Sequence, residues 1–305
     1  MTPPGKQRLI GAAHPLAAQY CELVAKTFPL SRARDPGKFL QQVSQVASRE
    51  AYEAWKRAYQ ANDGTFLDHI CWGADRYLGD GQWLYGAMDD RFASNAARVF
   101  CPSGLTAQKH VAGKVVCVVG AWDGTESLLL RALGAARVDA VEEVPEFCAM
   151  AQAQYDAWDV PGVVENCSLY ELDLAKRWQA YDLVYVPGVL YHLTDLVAAV
   201  TILWSLLRPG AVLAFESIAE SKGDRSARYL GAKLAGWNWW SPTADCYHAI
   251  MVDCGFRPWT IELERGRGWW VGVKGDSLPV LSAGAAGFSR PDLLRQIQQL
   301  TKGNQ

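Results

Sequence analysis

The sequence predicts an α/β fold: a mostly parallel, seven-stranded sheet with a helical N-terminal cap. Two observations lead there. From Lys114 onward, short runs of β-branched and apolar residues alternate with helix-period segments, the pattern of a parallel sheet whose strands are covered on both faces. Among them, Val115-Val116-Cys117-Val118-Val119 enters Gly120-Ala121-Trp122-Asp123-Gly124 and then an apolar helical stretch from Leu128 to Leu133. In such a strand–turn–helix unit, glycines at both ends of the turn let the backbone approach a ligand where a Cβ would block it.

The elements follow in order. Residues 15–60 place Leu16-Ala17, Tyr20, Leu23-Val24, Phe39-Leu40, Val43 and Val46 at helical intervals, punctuated by Pro29 and Pro36. Asp63 to Phe100 is rich in aromatics and glycine and reads as loops and short helices packed over something, not as a separate unit. Strands are expected at 115–119, 137–142, 162–167, 181–187 and 211–217, with helices near 125–133, 146–158 and 195–207. Gly210, after Arg208-Pro209, is read as the stop between the last of these helices and its strand. An insertion, Ala219 to Trp240, precedes a helix at 243–254. Strands at 257–264 and 268–274 form a hairpin around Gly266, and a short helix is expected near 290–301. The run Ala283-Gly284-Ala285-Ala286-Gly287 is linker-like. The expected organisation is a helical and aromatic cap over 1–105, a core over 106–275 with the insertion at 219–240, and a tail over 276–305.

Composition narrows the class. Of 305 residues, 50% are hydrophobic and 20% charged, enough apolar material for a large core. The net charge of −2 gives no global attraction to nucleic acid. No apolar run reaches the length of a membrane span, and no long apolar segment follows Met1-Thr2-Pro3-Pro4-Gly5-Lys6, so a cytoplasmic location without export is expected. The eight cysteines are scattered and never form a CxxC pair. They read as reduced thiols, with no metal site. A homo-oligomer is compatible with these residues, which do not set its order.

The glycine turn is followed, about twenty residues on, by Arg137-Val138-Asp139-Ala140-Val141-Glu142, a strand ending in an acid of the kind that grips a ribose. The pair reads as a nucleotide-type cofactor site. GxGxxG is absent, and Asp123 and Glu126 beside the helix start would repel a pyrophosphate. The sulfonium amino acid of S-adenosylmethionine tolerates such acids better, so that cofactor is favoured over a dinucleotide.

Five motifs occur in order: Gly120-Ala121-Trp122-Asp123-Gly124, Glu142, Tyr181-Asp182-Leu183-Val184, Gly188-Val189-Leu190-Tyr191-His192 and Trp239-Trp240-Ser241-Pro242. With them the chain, from about Trp83 to Lys274, resembles Rossmann-like class I S-adenosylmethionine-dependent methyltransferases related to the tRNA wobble-uridine carboxymethyltransferase family. Val118 stands where the general pattern has an acid, and Trp122 where it has a glycine.

The resemblance implies roles by position. Gly120, Ala121, Trp122 and Gly124 would line the methionine part of the cofactor, Glu142 the ribose, and Ser168 and Leu169 the adenine. Pro187 and Tyr191 would sit beside the sulfonium. Trp83, Asp90 and Arg91 match a segment that closes over the cofactor, with Arg91 facing its carboxylate. The wobble-uridine relatives use a carboxylated cofactor, which implies cations for the extra carboxylate. Here Leu67 to Asp90 contains no lysine, and Met88 stands at a family lysine position. Arg267 or its neighbourhood matches the late family arginine, and Tyr191 is retained. A carboxylate desolvated without cationic partners costs several kcal/mol, on the order estimated for buried ions, so plain methyl transfer to an O, N or S atom of a small molecule is favoured. The alternatives are a tRNA wobble-uridine (carboxy)methyltransferase and a non-catalytic cofactor-binding relative.

Tyr191 and His192 are the catalytic candidates. His192 is either a base for a protonated nucleophile or a brace for the strand end. Trp237, Trp239, Trp240, Trp269 and Trp270 either enclose a planar or cationic substrate or pack the insertion onto the sheet. Arg225, Arg228 and Lys233 either meet an anionic substrate group or an RNA backbone, or are solvated. His248 reads as structural and Glu143 as solvated.

Overall fold

A computed structural model describes residues 3, 6, 14–61, 69–101, 105–220, 223–231, 238–283 and 290–303. The N-terminal region contains α1 (Ala17–Thr27), α2 (Pro36–Val43) and α3 (Arg49–Ala61), a ribbon of β1 (Arg76–Gly79) and β2 (Gln82–Leu84), then α4 (Arg91–Val99) and α5 (Ala107–His110). The alternating region follows as β3 (Val115–Val119), α6 (Thr125–Ala132), β4 (Arg137–Glu142), α7 (Pro145–Trp158), β5 (Val164–Asn166), α8 (Leu174–Arg177), β6 (Tyr181–Pro187), α9 (Leu196–Leu206) and β7 (Leu207–Ile218). The insertion forms a ribbon of β8 (Ala227–Tyr229) and β9 (Trp240–Pro242). After it come α10 (Ala244–Asp253), β10 (Phe256–Glu264), β11 (Arg267–Lys274) and α11 (Pro291–Gly303).

The main sheet has seven strands in the order β10-β11-β7-β6-β3-β4-β5. From β7 to β5 the strands are parallel, and β11 runs antiparallel to both its neighbours. The chain leaves β3 toward β4 and β5, then returns to place β6 on the other side of β3. That reversal falls at the C-terminal ends of β3 and β6, the place where open α/β sheets bind ligands.

The period of two in the strands builds two cores. Cys117, Val119, Val184, Val186, Leu213 and Phe215 face α9 and α10. Val116, Val118, Leu183, Tyr185, Val212 and Ala214 face α1, α4 and α6. Local chemistry starts the helices. Asp35 accepts the Lys38 N–H, Asp195 the Ala198 N–H and Thr243 the Cys246 N–H. The ribbons β1–β2 and β8–β9 lie where only loops or an insertion were expected. β7 begins at Leu207, directly after α9, so the expected break falls inside the strand and not before it: pairing with β6 skips from Leu207 to Val212, and Gly210 turns left-handed at φ +71° within that interruption.

A further apolar cluster joins Phe39, Val43, Trp72, Leu78 and Leu84 to Met150, Ala153 and Ala157 of α7. Another joins Tyr52, Trp55, Cys71 and Ala87 to the ring of Trp122. These clusters set the N-terminal region over the turn after β3. Lys6 is pinned beneath it, 2.8 Å from Asp75 and 2.9 Å from Asp89, over the ring of Tyr52. Among the described residues no helix is long and apolar enough to cross a membrane. Among the described residues, which include all eight cysteines, no disulfide forms.

Candidate active site

The turn after β3 is left-handed at three points. Gly120 has φ +72°, Trp122 +46° and Gly124 +84°. At Gly120 a Cβ would collide with the side chain of Val189 in the loop after β6, so glycine is required both for conformation and for close approach. Trp122 takes the same conformation despite its side chain. Its ring packs on Phe147 at 5.2 Å and is held in the cap cluster.

Glu142 ends β4 and is buried. Its Oε2 accepts the Trp122 N–H at 2.8 Å and its Oε1 the Val144 N–H at 3.0 Å. Burial pushes its carboxyl up, against the pull of the Val144 and Trp122 amides. Each carboxylate oxygen keeps a lone pair for a further donor, as a ribose acid needs. Glu143 beside it is exposed.

The other two acids act differently from the sequence expectation. Asp123 is buried and accepts the N–H groups of Ala74 and Thr125, each at 2.8 Å. It ties the cap loop to the start of α6 and is already satisfied. Burial, with Asp123 adding to it, pushes the Glu126 carboxyl up to about 8, against the pull of Arg91. The repulsion of a pyrophosphate by this pair is therefore weaker than the sequence implies. A further buried acid at these strand ends is Glu216.

Glu216 lies at the end of β7, opposite Pro187 of β6 and Trp269 of β11, and its residue is 0% exposed. Its Oε1 accepts from Arg267 Nε and from Arg91 Nη2, the latter at 3.2 Å. Burial alone would push this carboxyl up, but Arg267 and then Arg91 hold it below its ordinary value. Arg267 also reaches the Tyr191 hydroxyl at 3.4 Å and lies over its ring. Tyr191, Arg267, Arg91 and Glu216 thus form one chain of contacts beside Gly188. Arg91 is already paired with Glu216, with part of its side chain still exposed. Sequence reasoning passed over Glu216; its signal was a lone acid within the apolar run Ala211 to Ile218.

The remaining candidates divide. Tyr191 and His192 share a short turn, with rings 4.0 Å apart, and the Tyr191 carbonyl accepts the Trp239 N–H at 2.9 Å. That bond brings the insertion to the site. Trp240 donates to the Thr194 carbonyl at 3.1 Å. Trp269 and Trp270 do not enclose a substrate. They are consecutive on β11, an interior strand, and point to opposite covered faces, one over Arg98 and the other stacked on Phe215. Arg228 is exposed and paired with Glu220 at 2.6 Å. Arg225 and His248 are exposed. Ser168 caps a short turn at the end of β5, while Leu169 is buried in the main core. Trp83 packs on Tyr77 in the β1–β2 ribbon, with ring centroids 5.1 Å apart. Trp237, Lys233 and residues 284–287 lie outside the described residues.

Residues 118–215, from within β3 to within β7, match the family described as Methyltransferase domain. Among solved structures, the chain is similar to an S-adenosylmethionine-dependent methyltransferase from Mesorhizobium loti, at 14% identity and TM-score 0.45, covering 58% of this chain and 100% of that one. It is also similar to one from Aquifex aeolicus, at 17% identity and TM-score 0.43, covering 59% and 92%. No curated protein matches the sequence.

Proposed function

We propose that this chain is an S-adenosylmethionine-dependent methyltransferase whose acceptor is a small molecule, methylated at an O, N or S atom. The observation that carries the reading is the left-handed glycine turn at the sheet's reversal point, with the Glu142 carboxylate at the next strand end. The residues fit the cofactor on two counts. Gly188 leaves space that a Cβ would fill, and Glu216 Oε2 is a buried oxygen with no donor among the described residues. Glu142 would take the ribose, Ser168 and Leu169 the adenine side, and Gly120, Ala121, Trp122 and Gly124 the methionine part, with Pro187 beside the sulfonium.

When bound, S-adenosylmethionine supplies a methyl group on a sulfonium. The protein's part is to hold the acceptor in line and exclude water. Tyr191, buried and fixed by Arg267, orients the acceptor, and His192 beside it takes a proton where the nucleophile carries one. Trp239 and Trp240, tied to this loop, form the wall of the acceptor site, with Arg228 at its exposed edge. Two features favour methyl over carboxymethyl transfer and a metabolite over tRNA. The two arginines nearest Gly188 already share Glu216, so an extra carboxylate would compete with a resident one. Arg228 is likewise paired, and the net charge is −2. The cap, core and tail divisions at 105 and 275 belong to the same reading.

The test is incubation with methyl-labelled cofactor and a metabolite extract, with and without ribonuclease. Labelled small products that survive ribonuclease are expected. Label confined to ribonuclease-sensitive material would replace the reading with RNA modification, and cofactor binding without any transfer would replace it with a non-catalytic relative.

A further inference from the structure

Glu216 has one carboxylate oxygen engaged twice and the other not at all. Oε1 receives both Arg267 and Arg91, whereas Oε2 is buried with no hydrogen-bond partner among the described residues. An unsatisfied buried acceptor costs about 1–3 kcal/mol, more when charged. The surroundings show where this oxygen looks. A Cβ built on Gly188 would lie 3.3 Å from Oε2, 3.5 Å from the Tyr191 hydroxyl and 3.7 Å from Arg267 Nη2. The bare glycine therefore leaves room directly beside the orphan oxygen, and the Gly188 N–H, bonded to the Glu216 carbonyl at 2.9 Å, fixes that spacing.

The charges around the oxygen are mixed. Arg91, at the first turn of α4, keeps 24% of its side chain exposed while bonded to Glu216. Arg267 is less exposed and occupied on both sides, by Glu216 and Tyr191. Glu126, half-buried at the first turn of α6, interacts with both Arg91 and Glu216. The Tyr185 hydroxyl on β6 is buried nearby without a partner among the described residues. This end of the sheet thus offers a buried anion, one oxygen of which has no partner among the described residues, next to a partly exposed cation. That pairing complements a zwitterion.

Position along the sheet says which zwitterion. On the methyltransferase reading, the ribose end of the cofactor lies at β4 and the sulfonium between β3 and β6. Continuing in the same direction, β7 and the start of α4 are reached next. We infer that Glu216, with Arg91 beside it, clamps the α-amino-acid end of the cofactor, Glu216 Oε2 accepting from the ammonium group. The inference rests on that reading and adds an anchoring residue outside the glycine turn.

Calorimetric titration with three nucleosides tests it. These are S-adenosylhomocysteine, its deamino analogue, and 5′-methylthioadenosine, which lacks the amino-acid end. The wild type should bind S-adenosylhomocysteine at least tenfold more tightly than either of the others. Glu216→Gln should weaken S-adenosylhomocysteine about tenfold and leave methylthioadenosine unchanged. Equal S-adenosylhomocysteine affinity in wild type and variant overturns the clamp alone. So does a deamino analogue that binds wild type as tightly as the parent, a comparison that stands even if the variant fails to fold. If none of the three binds wild type, the cofactor reading falls as well.

Discussion

Trp122 offers the sharpest test of how the turn is built. It sits at φ +46° with a full side chain, in a conformation that costs an L-residue about 1–2 kcal/mol. What holds it there is the cap: the ring packs on Phe147 and on the cluster of Tyr52, Trp55, Cys71 and Ala87. Truncating a fully buried Trp to Ala costs about 3–5 kcal/mol. Trp122 is only half-buried, and its indole N–H is enclosed without a partner, so a loss of about 2 kcal/mol is the better figure, given the cost of unmade hydrogen bonds. Trp122→Ala keeps the backbone strain and should lose all of that. Trp122→Gly loses the same ring but relieves the strain, and should recover about 1 kcal/mol net of the extra chain entropy of glycine. With an unfolding entropy near 2.1 cal/mol/K per residue, these losses become about 3 °C and about 1.5 °C in Tm. Calorimetric melts of both variants against wild type make the measurement. An alanine variant as stable as the glycine variant would refute the left-handed assignment. Two variants as stable as wild type would refute the ring's place in the cap cluster.

Two further outcomes are expected. Glu142→Ala should weaken S-adenosylhomocysteine binding by about ten- to a hundredfold, since charge-assisted hydrogen bonds contribute about 1.5–3 kcal/mol; unchanged affinity by calorimetry would remove the ribose assignment. Lys274 is buried against Trp204 and donates to the Leu207 carbonyl at 2.7 Å, and burial lowers its pKa from 10.5 to about 7. The unfolded chain therefore holds more protons than the folded one between those values, and this lysine makes stability rise with pH across that window. The stability of Lys274→Met relative to wild type should fall as pH climbs from 7 to 9 in urea melts; the buried thiols Cys117 and Cys254, which act in the opposite sense toward the top of that range, are common to both proteins and cancel in the difference. A difference independent of pH would show that Lys274 is hydrated.

The alternating region was legible because each of its strands carries its own signal. The runs at 115–119, 137–142 and 181–187 are apolar, β-branched and closed by glycine, proline or an acid, and the structure places β3, β4 and β6 at those residues. Val118 stands where an acid is usual and simply fills the core, paired with Tyr185. Less was legible where structure depends on distant pairing. β1–β2 and β8–β9 are three or four residues per strand, too short for periodicity to show, and each exists through its partner. The same holds in the site. Gly120 and Glu142 could be found because their roles are local to a turn and a strand end. Glu216 meets Arg91 from 125 residues away and Arg267 from 51. Nothing in the neighbouring sequence reports such a meeting.

One bond has a bearing on how this architecture can be altered. The Asp123 carboxylate grips the amide of Ala74, and Gly73 lies so close that a Cβ there would stand 3.0 Å from Asp123 Oδ2. Two segments almost fifty positions apart are therefore cut to one another's shape. A chimera that borrowed only the alternating half from another protein would pair a foreign carboxylate with a native loop, and neither would seat. Across divergent homologues, positions 73, 74 and 123 should change in concert, and a donor graft should succeed only when both pieces travel together.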